Sequence, residues 1–345
     1  MDEESITAFP LDGTVESQPN MSETVQLDPE GDAVLSIKGS DGDKSYLVSS
    51  RVLSLASPVF SKMFGPNFKE GQEIRRGDCP RISLEEDDPE AMGLILSILH
   101  YKCAQVPLAM EPKELATLAM HADKYYCNEA LRPWASQWCS NMKEVTAPED
   151  HGFMLLAAYM FRSPSFSEIA SRAVRQLTPN FASIWEKHEE LALLPETITD
   201  TLSDQIAGGL RELHQLLQST EVRLREQKAC HSMYGLICSR CGRTLPGEAK
   251  KCHPCCNTDL LTKTCTSDHR VAEYFETLTR CELWPSLKPF TATDLSGIQE
   301  RFQYARGDHK HLCGAGETCP LVRVEVHDAI TELVHHVLCI LLNFQ

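Results

Sequence analysis

The sequence predicts an α+β protein in which a short sheet covered by helices is followed by a helical extension and a small cysteine-rich domain. Two observations support this prediction. Apolar residues alternate with more polar ones at residues 33–37, and apolar residues recur at helical spacing from about residue 89 to residue 228. The cysteines are concentrated at the other end, since eleven of the fifteen lie between Cys230 and Cys339.

Length and composition are those of an ordinary globular protein with more than one domain: 345 residues, 42% hydrophobic and 24% charged. The formal net charge of -16 argues against a general binder of nucleic acids, whose affinity depends on Lys and Arg. The most apolar stretch, 329–344, is short and contains Glu332, His335 and His336, so we expect no membrane span. Met1-Asp2-Glu3-Glu4 is the reverse of a basic signal-peptide start, so we expect an intracellular protein, cytoplasmic or nuclear.

The first thirty residues carry half of the net negative charge. They contain eight acidic residues and no basic one, together with Pro10, Pro19 and Pro29. Because little apolar periodicity is present, this segment cannot offset the entropy cost of becoming ordered. We predict that residues 1–30 form a disordered acidic tail. The alternative is an acidic tail that binds partners.

Three short strands are predicted after the tail. Residues 33–37 alternate between apolar and more polar side chains, which indicates a strand with one buried face. A run rich in turn-forming residues at 39–43 separates this strand from a second one at 46–48, so the two are expected to form a hairpin. A third strand is predicted at 81–84, after a polar loop.

Helices are predicted on both sides of the third strand. Ser49 or Ser50 can cap a short first helix, and Ser57-Pro58 fits the start of a second one, with proline in the first turn. After the third strand, apolar spacing and capping residues predict three longer helices, at about 89–102, 111–124 and 127–141.

These segments together resemble a BTB/POZ domain of fungal type. The residues that carry the resemblance are Asp32, Leu53, Ser57-Pro58-Val59-Phe60, Met63-Phe64 and the stretch Leu118 to Tyr126. The resemblance covers about residues 31–142. One departure is Ser49, which stands where many animal members carry a His four residues before the Leu. That difference places the chain outside the animal zinc-finger and kelch subfamilies.

The resemblance implies a protein-interaction module without a catalytic group. Such domains often self-associate or dock a cullin scaffold for ubiquitin transfer, so a homodimer and a cullin are the expected protein partners. No strand pattern before residue 31 marks the swapped first strand that dimeric members use. The alternative is an unrelated small α+β domain whose apolar spacing serves only its own core.

Residues 148–229 predict a helical extension without a site. A helix begins at Pro148, and a long helix is predicted at about 196–228. Within it, spacings of four and three connect Ile206, Leu210, Leu213, Leu217, Thr220 and Leu224 like a heptad seam. Because the seam is short and contains Gly208-Gly209, packing against the chain's own helices is favoured over a coiled-coil dimer.

The next domain contains two Cys-x2-Cys pairs, Cys238/Cys241 and Cys252/Cys255. A gap of two residues lets both thiolates of a pair turn toward one ion, and four sulfur ligands in tetrahedral array select Zn²⁺. In a reducing compartment, clustered cysteines indicate metal ligands before disulfides. The sequence therefore predicts a structural Zn²⁺ site with these four ligands. The alternative is a set of free buried cysteines.

Two features between and beside the pairs support a small zinc-ribbon-like domain. Gly242 follows the first pair, where the chain needs a positive φ, and Leu245-Pro246-Gly247-Glu248 is a turn sequence that would bring the pairs together. We assign residues 230–345 to this cysteine-rich domain, which ends in an apolar helix. His335 and His336 are adjacent, so on that helix they point to different faces. We therefore expect them to be core or rim histidines and not metal ligands.

A second zinc site in the same domain is a further hypothesis. Its candidate ligands are Cys256 or Cys265 together with His311, Cys313 and Cys319. Their spacings match no named pattern. Cys256 also competes with Cys255 for the fourth position of the first site, where the spacing favours Cys255.

Two other functions are weighed against a binding role. A divergent RING-like ubiquitin ligase would use Cys238, Cys241, Cys252, His253 and Cys256. However, Cys252 and His253 are adjacent, and the closing Cys-x2-Cys pair is missing. Signatures of other catalytic sites, such as a Gly-x-Ser-x-Gly elbow or a glycine-rich phosphate loop, are also absent. We therefore expect no enzymatic activity.

The other alternative is a BTB-containing transcription regulator. Its support is a local positive patch formed by Arg240, Arg243, Lys250 and Lys251. Residues 230–320 as a whole carry 11 basic and 10 acidic residues, and no arginine-rich recognition helix is present. The patch is better explained as a solvated face, so we expect no nucleic-acid partner.

Overall fold

The structure is a computed structural model that describes residues 24–39, 42–141, 145, 147–228, 230–255, 258–284, 289–306, 313 and 330–332. The chain divides into two compact units. The first contains the described residues up to Val106 together with Tyr125–Cys127, and the second contains Pro107–Lys124 and the described residues from Asn128 onward. Within these described ranges, no helix combines the length and the hydrophobicity needed to cross a membrane.

The first unit contains a four-stranded sheet. Its strands are β1 (Thr24–Gln26), β2 (Ala33–Ile37), β3 (Lys44–Val48) and β4 (Arg81–Leu84), in the order β1-β3-β2-β4. Strands β2 and β3 form the antiparallel hairpin that the turn residues predict, whereas β4 joins β2, and β1 joins β3, in parallel. Alternate residues of β2, namely Ala33, Leu35 and Ile37, are fully buried, which confirms the predicted one-sided strand.

Strand β1 corrects the predicted boundary of the acidic tail. The sequence places the tail at residues 1–30, but Thr24–Gln26 pairs with β3, Leu27 is buried, and the Leu27 amide donates to the Leu47 carbonyl at 3.0 Å. The sequence shows no strand pattern before residue 31, because the three residues of β1 are too few for alternation to be recognised. Residues 1–23 of the predicted tail lie outside the described residues.

Four helices complete the first unit: α1 (Ser50–Ala56), α2 (Pro58–Met63), α3 (Lys69–Arg76) and α4 (Pro89–Leu99), and a short 3-10 helix follows at Cys103–Gln105. Helix α4 packs against β3 and α1, and α1 packs against α2. Side chains cap α2 and α4 as capping residues predict, whereas the predicted cap of α1 is wrong, because the Ser49 side chain makes no capping bond and the Ser50 hydroxyl donates to Asp32. Ser57 accepts the Phe60 amide at 3.1 Å, and Asp88 accepts the Ala91 amide at 2.8 Å.

Helix α3 occupies a segment that the sequence predicts to be a polar loop. Its side chains are almost all polar, and its buried residue is Gly71. A Cβ atom on Gly71 would lie 2.0 Å from the Gly65 carbonyl oxygen and 2.4 Å from that of Phe64. The helix is therefore positioned by a close approach of two backbones. Hydrophobic periodicity could not reveal it, because no apolar stripe is needed.

Tyr125 holds its segment, Tyr125–Cys127, in the first unit. The ring of Tyr125 stacks on Phe60 with 4.8 Å between the centroids, and its hydroxyl donates to the Asp87 carboxylate. The Ser57 hydroxyl donates to the Tyr125 carbonyl at 2.5 Å. Burial is the main cause that raises the pKa of Tyr125, so the phenol stays protonated and continues to donate.

The second unit is mainly helical. Its α-helices are α5 (Pro112–Lys124), α6 (Asn128–Ser140), α7 (Pro148–Met160), α8 (Phe166–Gln176), α9 (Phe181–Trp185), α10 (Glu196–Glu226), α11 (Ser267–Arg280), α12 (Pro289–Ala292) and α13 (Leu295–Arg306). Short 3-10 helices lie at Glu189–Leu193 and His253–Cys255. Helix α7 packs against α5, α8 and α9 and is buried along residues 151–158. The helical extension thus packs, through α7, directly against α5.

The second unit also contains a three-stranded antiparallel sheet. Its strands are β5 (His231–Cys238), β6 (Thr244–Leu245) and β7 (Leu260–Cys265), in the order β6-β5-β7. The register of β5 against β7 shifts between Ser232 and Leu236, and Gly235 within this shift has a φ of +100°. This sheet carries the cysteine pairs, and we refer to residues 231–265 as the cysteine module.

The predicted seam of helix α10 lies against helices of the same chain. All six of its residues are buried: Ile206, Leu210, Leu213, Leu217, Thr220 and Leu224. Helix α10 packs against α8, α11 and α13, and the Tyr274 hydroxyl of α11 donates to the Leu217 carbonyl at 2.7 Å. The favoured prediction, packing within one copy of the chain, is confirmed.

The close approach at Gly71 generates a stability prediction. We expect Gly71→Ala to lower the free energy of unfolding by about 2 kcal/mol, because the new methyl group must displace two backbone carbonyls. Urea denaturation followed by circular dichroism measures the change. Gly208→Ala in α10 is the matched control, since its Cβ would meet no atom within 4 Å and is expected to stabilise the chain by up to about 1 kcal/mol. Wild-type stability of Gly71→Ala would contradict the packing described here.

Candidate metal centre

Four cysteine sulfurs meet in the cysteine module. The Sγ atoms of Cys238, Cys241, Cys252 and Cys255 all lie within 4.8 Å of one another. These are the residues that the Cys-x2-Cys spacing groups together. None of the four forms a disulfide; Cys238 and Cys252 are buried, Cys255 is half-buried and Cys241 is exposed. We call this group the four-thiol cluster.

The first pair lies on the turn that follows β5. The Cys238 amide donates to the Arg243 carbonyl, and the Gly242 amide donates to the Cys238 carbonyl, both at 3.0 Å. Gly242 has a φ of +68°, the left-handed conformation that the sequence predicts at this position. The Arg240 amide donates to the Cys238 sulfur at 3.4 Å. The turn thus brings Cys238 and Cys241 to the same side and supplies an amide to a sulfur.

The second pair lies around the 3-10 helix His253–Cys255. The Cys252 amide donates to the Thr258 carbonyl at 3.2 Å, and the Cys255 amide donates to the Cys252 carbonyl at 3.1 Å. The Thr258 hydroxyl donates to the Cys255 carbonyl at 2.5 Å. Backbone bonds therefore close this loop as they close the first one.

The predicted turn connects the two loops. The Ala249 amide donates to the Pro246 carbonyl at 3.0 Å, and β6 pairs with β5 just before this turn. The sulfurs of Cys241 and Cys252 lie 3.9 Å apart as a result. Two sulfurs bound to one zinc ion in a tetrahedron are separated by about 3.8 Å. The donor set and this spacing are compatible with a tetrahedral metal site.

The four sulfurs differ in their affinity for protons. The Cys241 amide is the main cause that lowers the pKa of Cys238 to about 6. The contact with the Cys241 thiol raises the pKa of Cys255 to about 12, and burial raises the pKa of Cys252. The lowered pKa of Cys238 favours its thiolate, the form in which a cysteine binds a metal ion.

Apart from its cysteines, the cysteine module has little apolar core. Among its described residues, the buried hydrophobic ones are Cys238, Cys252 and Cys265. Leu261 of β7 is 58% exposed, and Tyr234 of β5 is 74% exposed. A small three-stranded sheet with so little burial cannot offset its ordering entropy by hydrophobic packing alone. Cross-linking at the four-thiol cluster can supply the missing stabilisation.

The structure describes only part of the predicted second site. Cys265 is fully buried at the end of β7, with Nη1 of Arg270 3.4 Å from its sulfur, and it pairs with His231. Cys313 forms an isolated bridge with Met233 of β5. Among the described residues, neither cysteine joins a cluster of three metal-binding groups. The other candidate ligands, Cys256, His311 and Cys319, lie outside the described residues, so the second site stays a prediction.

The remaining predicted site residues have no place in the four-thiol cluster. His253, which a RING-like site would require, is exposed and outside the cluster. The basic residues Arg240, Arg243, Lys250 and Lys251 are all exposed. His335 and His336 lie outside the described residues.

One important residue of this region is missed by the sequence analysis. Arg270 is 1% exposed, and its guanidinium donates to the Cys265 carbonyl at 3.3 Å and to the Gln227 carbonyl at 2.5 Å. It thereby joins the end of α10, the end of β7 and the first turn of α11. Its position on the buried stripe of α11, one turn before Tyr274, is the signal that could have revealed it.

Comparison with known families identifies the amino-terminal part of the chain. The family model of the BTB/POZ domain matches residues 30–140, close to the predicted limits of 31–142. The chain therefore contains a BTB/POZ domain, as the resemblance implies, and such a domain is a protein–protein interaction module. The match includes β2 to β4 and α1 to α6 and ends before the cysteine module. No curated protein matches the chain.

The positive φ of Gly242 generates a prediction for the four-thiol cluster. We expect Gly242→Ala to destabilise the first loop by about 1 kcal/mol, because an L-residue is strained in the left-handed conformation. The thiols of the module should then react faster with a thiol reagent in a metal-free sample. Gly247→Ala is the matched control, since its Cβ meets no atom and its φ is not in the left-handed region. Equal thiol reactivity in both variants would contradict a requirement for Gly242.

Proposed function

We propose that this protein is a non-enzymatic interaction protein, either a substrate adaptor for a cullin-type ubiquitin ligase or a self-associating scaffold. In this proposal the BTB/POZ domain binds the cullin or a second copy. The carboxyl-terminal part selects the client and is stabilised by structural Zn²⁺. The observation that carries the proposal is the four-thiol cluster in a module with almost no other core, in a chain that contains a BTB/POZ domain.

Zinc at the four-thiol cluster would act as a structural cross-link. Cys238 and Cys241 would hold it from the loop after β5, and Cys252 and Cys255 from the loop before β7. Four protein sulfurs satisfy a tetrahedral ion, so this arrangement supports a structural role and not a catalytic one. The amides of Arg240 and Cys241 favour the thiolate of Cys238, the form in which cysteine binds a metal.

The proposal has a definite domain organisation. An acidic tail precedes strand β1, the interaction domain occupies residues 31–142, the helical extension occupies 148–229 and the zinc-binding domain occupies 230–345. A reducing, intracellular environment fits fifteen cysteines of which the described ones are free thiols. The chain is further proposed to belong among fungal BTB proteins. A second zinc, held by Cys256 or Cys265 with His311, Cys313 and Cys319, is part of the same hypothesis.

The zinc proposal predicts a stoichiometry. Elemental analysis of the purified full-length protein should find about one zinc per chain, or about two if the second site also forms. The double variant Cys238→Ser/Cys241→Ser should lose about one equivalent and make the module sensitive to limited proteolysis. Cys79→Ser is the matched control, because Cys79 is exposed and lies in the other unit. A zinc content far below one per chain in wild type would refute structural zinc.

The interaction proposal predicts that a partner co-purifies with the protein. Affinity purification from the native cell should recover a cullin, and light scattering of the purified protein should detect a dimer if the scaffold form holds. Leu55 of α1 is 91% exposed, so Leu55→Glu is expected to preserve folding while weakening an interface on this helix by about tenfold. Leu193→Glu is the control, at a 52% exposed leucine of the other unit. Recovery of neither a cullin nor a dimer would refute both forms of the proposal.

A further inference from the structure

A cavity of about 250 Å³ lies in the second unit, between helices α10 and α11. Leu217 of α10, Leu278 of α11 and Leu283, which follows α11, contribute apolar side chains to it. All three leucines are buried, so this part of the lining is a fixed piece of the helical core. None of the residues that line the cavity belongs to the four-thiol cluster.

Aromatic rings form much of the remaining lining. Phe275 and Trp284 have centroids 4.8 Å apart and ring planes at 52°, and His214 and Phe290 have centroids 5.3 Å apart and planes at 79°. Because neither pair is stacked face to face, ring surfaces remain available to a bound group. Trp284 is 49% exposed, which is unusual for the largest apolar side chain and places it at the opening of the cavity.

A carboxylate also borders the cavity. Among the described residues that line it, Glu221 supplies the carboxylate. Glu221 pairs with Arg225, one turn further along α10, whose side chain is 58% exposed. An ion pair with so exposed an arginine contributes little stability, so an incoming cation can share the carboxylate. The Tyr274 hydroxyl is already bound to the Leu217 carbonyl, so Tyr274 offers its ring and not its hydroxyl.

We propose that this cavity binds an organic cation that carries a trimethylammonium group. Aromatic rings attract such a cation through their quadrupoles, Glu221 complements its charge, and the leucines contact its methyl groups. The cavity is smaller than the pockets that enclose drug-sized ligands, so it suits a headgroup or the end of a side chain. Two sources present this chemistry: a free small molecule such as choline, and a trimethylated lysine of a protein.

Titration of the full-length protein separates charge recognition from simple apolar binding. Choline and 3,3-dimethyl-1-butanol, its neutral isostere, are added separately while tryptophan fluorescence is followed. We expect choline to bind saturably and about tenfold more tightly than the isostere. Equal affinity for the two compounds, or no saturable binding of choline, would overturn the proposal. A peptide with trimethyllysine, compared with its unmodified form, shows which source is preferred.

Variants assign the binding to this cavity and to no other aromatic site. Trp284→Leu should weaken choline binding by about tenfold and, since Trp284 is half exposed, should leave the chain folded. Glu221→Gln should weaken binding, and Arg225→Gln should strengthen it by removing the competing cation. Tyr304→Leu is the control, at an 85% exposed aromatic residue outside the cavity. Because Trp284→Leu removes a fluorophore, binding in the variants is measured by calorimetry, and unchanged affinity in Trp284→Leu would overturn the assignment.

Discussion

The convergence of four sulfurs is the constraint on which the carboxyl-terminal part of the structure depends. Few side chains of strands β5 to β7 are fully buried, and those that are belong mainly to cysteines. The structural role of the sheet is therefore to bring together the two loops that carry the cysteines. The turn at Gly242 and the backbone bonds around Cys252 and Thr258 serve to present sulfur atoms to a common point. In a module of this kind, loop geometry determines the structure, and a hydrophobic core does not.

The parts of the fold that follow local rules could be predicted from the sequence. The hairpin, the capped helices and the grouping of four cysteines each depend on residues close together in the chain. Helix α3 could not be predicted in this way, because Gly71 contacts a carbonyl of Gly65 instead of contributing to an apolar stripe. Strand β1 escaped recognition because a parallel partner, and not its own composition, makes it a strand.

The same distinction between local and long-range contacts applies to the candidate site. Cys238, Cys241, Cys252 and Cys255 are grouped by spacing alone, since each pair needs only a tight loop. Contacts that join distant segments could not be predicted from the sequence. Arg270, for example, binds the carbonyl of Gln227, which is 43 positions away in the chain. The aromatic cavity has the same property, because its rings come from α10, α11, α12 and the segment that follows α11. Side chains so far apart meet only after the helices have packed.

The buried Arg270 has a thermodynamic consequence for the second unit. Its guanidinium contacts the carbonyl ends of α10 and β7, and Tyr274, one turn further along α11, binds α10 again. The cysteine module and the wall of the cavity are thus attached to the same two helices. Zinc at the module and a cation in the cavity, bound as proposed, would each order these shared helices, so their two binding free energies would be coupled. By reciprocity, that coupling has the same magnitude in both directions.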